Sequence, residues 1–297
     1  MRRVLITGAH GFTGGYIRDD LVSAGYQVTG TCVGGLPREG ELRLDITSLE
    51  DCRHVIETVR PDFIVHLAAI SFVAHEVPLD MYRVNVLGTL NLLQACADVG
   101  HRPDKILIVS SANVYGNAGG VIDESIAPEP VNHYGASKSA MENLVKTWFD
   151  RLPIIVVRPF NYTGRGQAAR FLIPKIVWHF VNRRPVIELG NLDVARDFSD
   201  VRTVAKLYRE LLESDVGSEV VNICSGKPYT LEQVLETVSE ASGHKLEVRV
   251  NPAFVRENEV KVLVGSTEKL RRLAPEVQPF DFSETIKWMV NSEDGRS

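Results

Sequence analysis

Runs of consecutive apolar residues punctuate the first half of the chain at regular intervals. Val4-Leu5-Ile6-Thr7 and Gln27-Val28-Thr29-Gly30-Thr31-Cys32-Val33 come first, followed by apolar runs at 63–67, 105–109 and 153–157. Strands that are apolar throughout, rather than alternating, suit a parallel sheet covered on both faces. Between these runs the apolar positions shift to helical spacing, first through Tyr16, Ile17, Leu21 and Val22. Further helices are predicted after Ser48, with Asp51 as an acidic capping partner, from about 81 to 97, and around Tyr134 and Lys138. This alternation predicts a doubly wound α/β sheet with right-handed crossovers.

After Arg158-Pro159 the pattern loosens. Helical stretches near 171–181 and 201–212 precede a strand at Val220-Val221-Asn222-Ile223 and a helix capped by Thr230 and Gln233. The expected fold is a Rossmann-type parallel sheet with a smaller, partly interleaved C-terminal α/β substrate lobe. Residues 1–158 would form the sheet domain, with 190–224 returning to it. Residues 159–189 and 225–297 would form a lobe closing over the carboxyl edge of the sheet, where open α/β folds bind ligands.

Composition narrows the function classes. The chain has 297 residues, 44% of them hydrophobic, and a net charge of −5. That charge argues against a broad nucleic-acid surface, and no apolar run approaches a membrane span. Met1-Arg2-Arg3 runs straight into the first strand, so no signal peptide is expected. Cys32, Cys52, Cys96 and Cys224 lack metal-ligand spacing, and the eight histidines form no ligand pair. Reduced core thiols in a cytoplasmic protein, with no metal site, are expected.

Gly8-Ala9-His10-Gly11-Phe12-Thr13-Gly14 stands between the first strand and the first helix. Strand, glycine turn and helix together are the context a dinucleotide fingerprint requires. The glycines admit a tight turn and close approach of backbone to a pyrophosphate. The helix start then offers free N–H groups and a partial positive charge. The usual acidic partner of the adenosine ribose is missing after the second strand, where Gly34, Gly35, Leu36 and Pro37 lead to Arg38. An arginine there suits a 2′-phosphate or is simply solvated, so NAD and NADP both remain open.

Of the eight tyrosines, only Tyr134 has a lysine four positions on, Lys138. Residues i and i+4 share a helix face. A fixed ammonium near a phenol favours phenolate and lowers a pKa that is otherwise about 10, so the pair is a candidate for general acid–base chemistry. An ordinary surface Tyr and Lys is the alternative. Ser110-Ser111-Ala112-Asn113-Val114-Tyr115-Gly116, at the carboxyl end of the 105–109 strand, offers a serine hydroxyl at the same sheet edge.

Taken together these segments resemble the extended short-chain dehydrogenase/reductase family over nearly the whole chain. The resemblance rests on Thr7 to Gly14, Leu44-Asp45, His66-Leu67-Ala68-Ala69, Asn85-Val86-Leu87-Gly88-Thr89, the Ser-Ser…Val-Tyr-Gly segment, Tyr134 to Lys138, and Arg158-Pro159-Phe160-Asn161. It implies Ser111, Tyr134 and Lys138 as catalytic trio. It implies a cofactor cleft formed by Gly8, Gly11, Phe12, Thr13, Gly14, Asp45, Ile46, Leu67, Ala68 and Ala69 together with Tyr134 and Lys138, the cofactor being NADP or NAD.

The later motifs most resemble the GDP-mannose branch of the family: the GDP-6-deoxy-D-mannose reductases and, more distantly, the GDP-mannose 4,6-dehydratases. They are Arg158 to Gln167, Arg196-Asp197-Phe198, Asn222 to Gly226 and Arg256-Glu257-Asn258-Glu259-Val260. The implied substrate contacts are Ser111, Asn161, Lys175, Arg196, Arg256 and Glu259, with the two arginines on a diphosphate. Dehydratases of the family carry a glutamate, often beside an aspartate, where this chain has Ala112 and Asn113. Neither exchanges a proton at neutral pH, so the resemblance implies reduction of the 4-keto group of a GDP-linked 6-deoxy sugar. A nucleotide-sugar 4-epimerase holding NAD tightly is the alternative, with a non-catalytic redox sensor further off. The family further implies a homodimer through a four-helix bundle of the 82–97 and 134–150 helices. Their apolar residues are Leu87, Leu90, Leu92, Leu93, Met141, Leu144, Val145 and Trp148, which would serve equally as internal core.

Overall fold

The computed structural model describes residues 1–72, 75–255 and 260–291. The apolar runs assemble into one seven-stranded sheet. From edge to edge it runs Glu219–Ile223, Ile154–Pro159, Lys105–Val109, Phe63–His66, Arg3–Thr7, Gln27–Cys32, Glu41–Arg43. Every neighbouring pair is parallel. The chain winds outward from Arg3–Thr7 in one direction, then restarts at Phe63–His66 and winds in the other. A switch point therefore lies between these two strands, the place where open α/β sheets take a ligand.

The burial explains why these strands lack alternation. One face, including Val4, Ile6, Val65 and Leu107, packs with Ile17, Leu21, Val204 and Tyr208 of the helices Phe12–Ser23 and Val201–Glu213. The opposite face, including Leu5, Ile64, Ile106 and Ile108, packs with Val55, Leu92, Met141 and Val145 of helices Leu49–Val59, Gly88–Asp98 and His133–Lys146. Nearly all these side chains are inaccessible to solvent, and each such aliphatic residue contributes about 1.5–3 kcal/mol by leaving water. Leu92, Leu93, Met141, Val145 and Trp148 thus belong to the core of a single chain, whereas Leu87 is 52% exposed.

Local signals place the helix ends. Ser48 accepts from the Asp51 amide and donates to its carboxylate. Thr230 and Gln233 form a reciprocal capping box. The helix expected from 81 to 97 is instead three pieces: Pro78–Tyr82, a π-helical turn at Arg83–Leu87, and Gly88–Asp98. The wider turn carries Asn85, fully buried. Such bulges recur near functional sites.

A second sheet forms beyond the carboxyl edge, ordered Pro228–Thr230, Ala195–Asp200, Val262–Gly265, Gly120–Ile122, with Asn161–Thr163 also paired to Ala195–Asp200. Helices Leu172–Val181, Leu231–Ser242 and Phe282–Val290 pack around a separate core containing Ile176, Phe180, Val234 and Ile286. Segment 190–224 serves both parts: its first strand lies in the small sheet, while Glu219–Ile223 closes the large one. Gly120–Ile122, from the first half of the chain, also joins the small sheet. Among the described residues no helix is long and apolar enough to cross a membrane.

Candidate active site

The switch point receives the glycine loop. Gly8 has φ +70°, and a Cβ there would lie 2.9 Å from the backbone of Ala68. At Gly14 a Cβ would lie 2.5 Å from the Ala9 carbonyl oxygen. Side chains are excluded at both positions, so backbone alone faces the cleft. Gly11 caps helix Phe12–Ser23 with no side-chain hydrogen bond, leaving the helix N–H groups of the first turn to a ligand. This geometry fits a dinucleotide pyrophosphate. Thr13 Oγ1 is hydrogen-bonded to the Tyr162 hydroxyl at 2.8 Å, and Phe12 stacks on Tyr162, which ties the loop to the strand Asn161–Thr163.

A buried chain of hydrogen bonds runs behind the loop. The Ala68 amide donates to Thr7 Oγ1, and Thr7 is bonded to His66 Nδ1 at 2.7 Å. His66 Nε2 meets Thr89 Oγ1, which donates to the Asn85 carbonyl. Since the Thr89 proton is already given, Nε2 carries the ring hydrogen and Nδ1 accepts from Thr7. Burial, assisted by Lys138, pushes His66 down to about 3, so it is neutral. Asn85 also clasps both backbone groups of Ile70 and donates to Ser137. The motif 85–89 therefore joins the loop 67–70 to the Tyr134 helix. Its role was hidden in the sequence because no spacing connects positions 7, 66, 70, 85 and 137.

Tyr134 and Lys138 lie on the buried face of helix His133–Lys146, which Asn132 caps through the Gly135 amide. Ser111 caps the turn Ala112–Tyr115 and is buried, accepting from the Asn113 backbone and side chain at 3.2 and 3.1 Å. Lys138 Nζ donates to the Val109 carbonyl at 2.7 Å. The trio is thus assembled at the end of one strand and the start of one helix. The expected electrostatics are reversed, however. Burial pushes the Tyr134 phenol up to about 12, opposed by its hydrogen bond with Ser111. Lys138, also buried, falls to about 8, with Glu142 opposing. Desolvation of both groups outweighs the attraction that sequence spacing suggested. The phenol is held protonated.

One turn beyond Lys138, Glu142 receives Arg158 on both oxygens and the Ser110 hydroxyl at 2.6 Å. Arg158 also donates to the Tyr115 hydroxyl, which donates to Asn222. This network braces the Ser110–Ser111 turn against the helix that carries Tyr134 and the strand Ile154–Pro159.

Other predicted positions fall as follows. Asp45 is exposed and holds Thr47 by an Asx turn, while Ile46 is buried against Gly88. Leu67 and Ala69 flank Ala68 at the loop facing Gly8. Asn161 reaches the Asp197 carbonyl, and Arg196 lies on the adjacent strand, bonded to the carbonyls of Ala195 and Lys261. Lys175 Nζ donates to the Glu188 carbonyl and stands over Phe254. Arg256 and Glu259 lie outside the described residues. Asp197, absent from the sequence-based set, is a buried carboxylate accepting from the amides of Ser225, Gly226 and Gly265. It pins the Ser225-Gly226 loop beside Asn161. His10, Cys32 and Glu41 also lie together, with their ligand atoms within 4.8 Å of one another.

Known proteins resemble this chain over most of its length. The family described as GDP-mannose 4,6 dehydratase matches residues 5–289. The chain is 37% identical over 270 residues to GDP-6-deoxy-D-talose 4-dehydrogenase of Aggregatibacter actinomycetemcomitans, covering 90% of each. It is 32% identical to GDP-6-deoxy-D-mannose reductase of Pseudomonas aeruginosa, covering 91% of this chain and 90% of that one. Among solved structures, a provisionally named epimerase from Burkholderia cenocepacia J2315 superposes with TM-score 0.93 at 46% identity, over 98% and 97% of the two chains. RMD from Pseudomonas aeruginosa, complexed with NADPH, gives 0.86 at 27%, over 98% of each. UDP-glucose 4-epimerase of Thermus thermophilus, in complex with NAD, gives 0.83 at 29%, over 97% and 98%.

Proposed function

We propose, for a chain that belongs to the GDP-mannose 4,6-dehydratase family of extended short-chain dehydrogenases/reductases, that it reduces the 4-keto group of a GDP-linked 4-keto-6-deoxy-mannose-type sugar. Proteins of this family are NAD(P)-dependent nucleotide-sugar enzymes, and this chain is one of them. One observation carries the reading: a buried, protonated Tyr134 beside Ser111, with Ala112 and Asn113 where elimination chemistry would need an acid and a base.

A dinucleotide, when held in the glycine-loop cleft, would supply the hydride. The chain's own residues handle the oxygen. Ser111 donates to the substrate oxygen, and Tyr134 delivers its proton as negative charge develops there. A phenol with its pKa near 12 keeps that proton at neutral pH, yet is still a stronger acid than the alcohol being formed. Lys138, fixed by Val109, provides positive charge one turn away. Asn161, Arg196, Arg256 and Glu259 are proposed to hold the nucleotide diphosphate and its ribose, with Lys175 nearby on the same lobe. In this division residues 1–158 with part of 190–224 hold the dinucleotide, and the remaining lobe holds the sugar nucleotide. Talose and mannose differ only at C4, so the names of both sequence relatives fit one shared 4-ketone reduced from opposite faces.

The test is purified protein supplied with the GDP-4-keto-6-deoxy sugar and either NADPH or NADH. Loss of reduced-nicotinamide absorbance with formation of a 4-hydroxy sugar is expected; no oxidation of either dinucleotide would refute the reading. Likeness to a solved UDP-glucose 4-epimerase supports a second reading, in which the same trio oxidises and re-reduces C4. An epimerase would purify with NAD firmly held, a reductase without it. We assign the enzyme to the cytoplasm, where its four buried thiols stay reduced. Its homodimer would form through the 82–97 and 134–150 helices, and sedimentation at micromolar concentration tests that assembly.

A further inference from the structure

We infer that Glu41 is the acid that holds the adenosine ribose of the dinucleotide, and that it selects NAD(H) over NADP(H). The second strand ends at Cys32 without the carboxylate that dinucleotide folds place about 20 residues beyond the glycine loop. The third strand brings one back. Glu41 pairs with Gly30 in parallel register, two residues before Cys32. Glycine at position 30 leaves room for it: a Cβ there would come within 3.2 Å of Glu41 Cγ and 3.5 Å of its Oε1. The carboxylate therefore lies over the end of the second strand, with its ligand atoms close to the Cys32 sulfur and to His10 of the glycine loop.

The state of this side chain marks it as built for a ligand. It is 2% exposed. Oε2 accepts from His10 Nε2 at 2.5 Å and from the Arg38 amide at 2.9 Å. Oε1 has no hydrogen-bond partner among the described residues. The nearest cation to it, an Arg18 guanidinium nitrogen, is 4.0 Å away. Burial pushes the carboxyl pKa up, but the Arg38 and His10 hydrogen bonds outweigh it and hold the group ionised. A buried acceptor left open costs free energy unless something donates to it. A ribose hydroxyl donates. A 2′-phosphate offers only acceptors and negative charge, which an ionised carboxylate repels. Arg38, the residue that left NADP open, donates its amide to Glu41, and its side-chain charge also helps keep that carboxyl ionised.

The inference concerns the dinucleotide alone, so a failed ketosugar assay leaves it standing. NADH and NADPH are titrated separately against purified protein without sugar, by quenching of tryptophan fluorescence. NADH is expected to bind about tenfold or more tighter, the order expected of one nearby like charge. In Glu41→Gln the ratio should fall by about tenfold, chiefly through tighter NADPH, with NADH changed little. Glu41→Asp, which withdraws the carboxylate by one methylene, should weaken NADH and serves if the glutamine variant does not fold. NADPH binding as tightly as NADH in the unmodified protein overturns the inference, as does an unchanged ratio in the variants.

Discussion

Glu142 and Arg158 lie 2.6 Å apart with side chains 1% and 3% exposed, and the carboxylate stands one helical turn beyond Lys138. A charge pair at that depth is held by its mutual bonds, so removing one member leaves the other stranded. Glu142→Gln is expected to lower unfolding free energy by about 3–5 kcal/mol, measured by urea denaturation. Adding Arg158→Met should recover much of the loss, since it removes the orphaned guanidinium.

Tyr134→Phe removes the proton and little volume. Reduction of the ketosugar should fall by about 10²–10⁴-fold, while dinucleotide affinity and the thermal midpoint stay close to those of the parent. Single-turnover rates check the first point and calorimetry the second.

The pH dependence follows Lys138. Its folded pKa of about 8 means the ammonium charge is lost as pH rises through that value, while Tyr134 stays protonated until about 12. The rate of reduction should therefore decline above about pH 8. A single descending limb is expected on the alkaline side, and it should vanish in the residual activity of Lys138→Met.

His66 sets an acid limit on stability. Its pKa is about 3 in the fold against 6.5 in the unfolded chain, so the unfolded state binds the proton first as pH falls. Stability is whole above about 6.5 and drains away between 6.5 and 3, by about 1.4 kcal/mol per pH unit at most. His66→Asn should flatten the fall of the thermal midpoint between pH 6 and 4, from a lower starting value.

The sheet was legible because its strands are apolar throughout, and a covered parallel strand permits little else. The glycine loop and the Tyr134–Lys138 spacing were legible for the same reason: each is a local pattern with a local cause. What the chain concealed was pairwise and distant. Nothing in the order of residues 7, 66, 85 and 137 announces a shared hydrogen-bond path, and the π turn at Arg83–Leu87 exists to turn Asn85 inward onto it. The sign of the Tyr134 shift was also hidden, because spacing reveals a neighbour and not the depth of burial. Glu41 stands on the third strand, not the second, so its nearness to the glycine loop is equally invisible in the order of residues.

The small strand Gly120–Ile122 finds its partner only at Val262–Gly265, near the far end of the chain. On the ribosome it emerges long before that partner and waits unpaired while the rest is made. A fragment ending at residue 158 would keep an exposed ribbon edge open to pairing with other molecules. The small sheet is thus completed only once Val262–Gly265 has been made, and expressing residues 1–158 alone should yield aggregate.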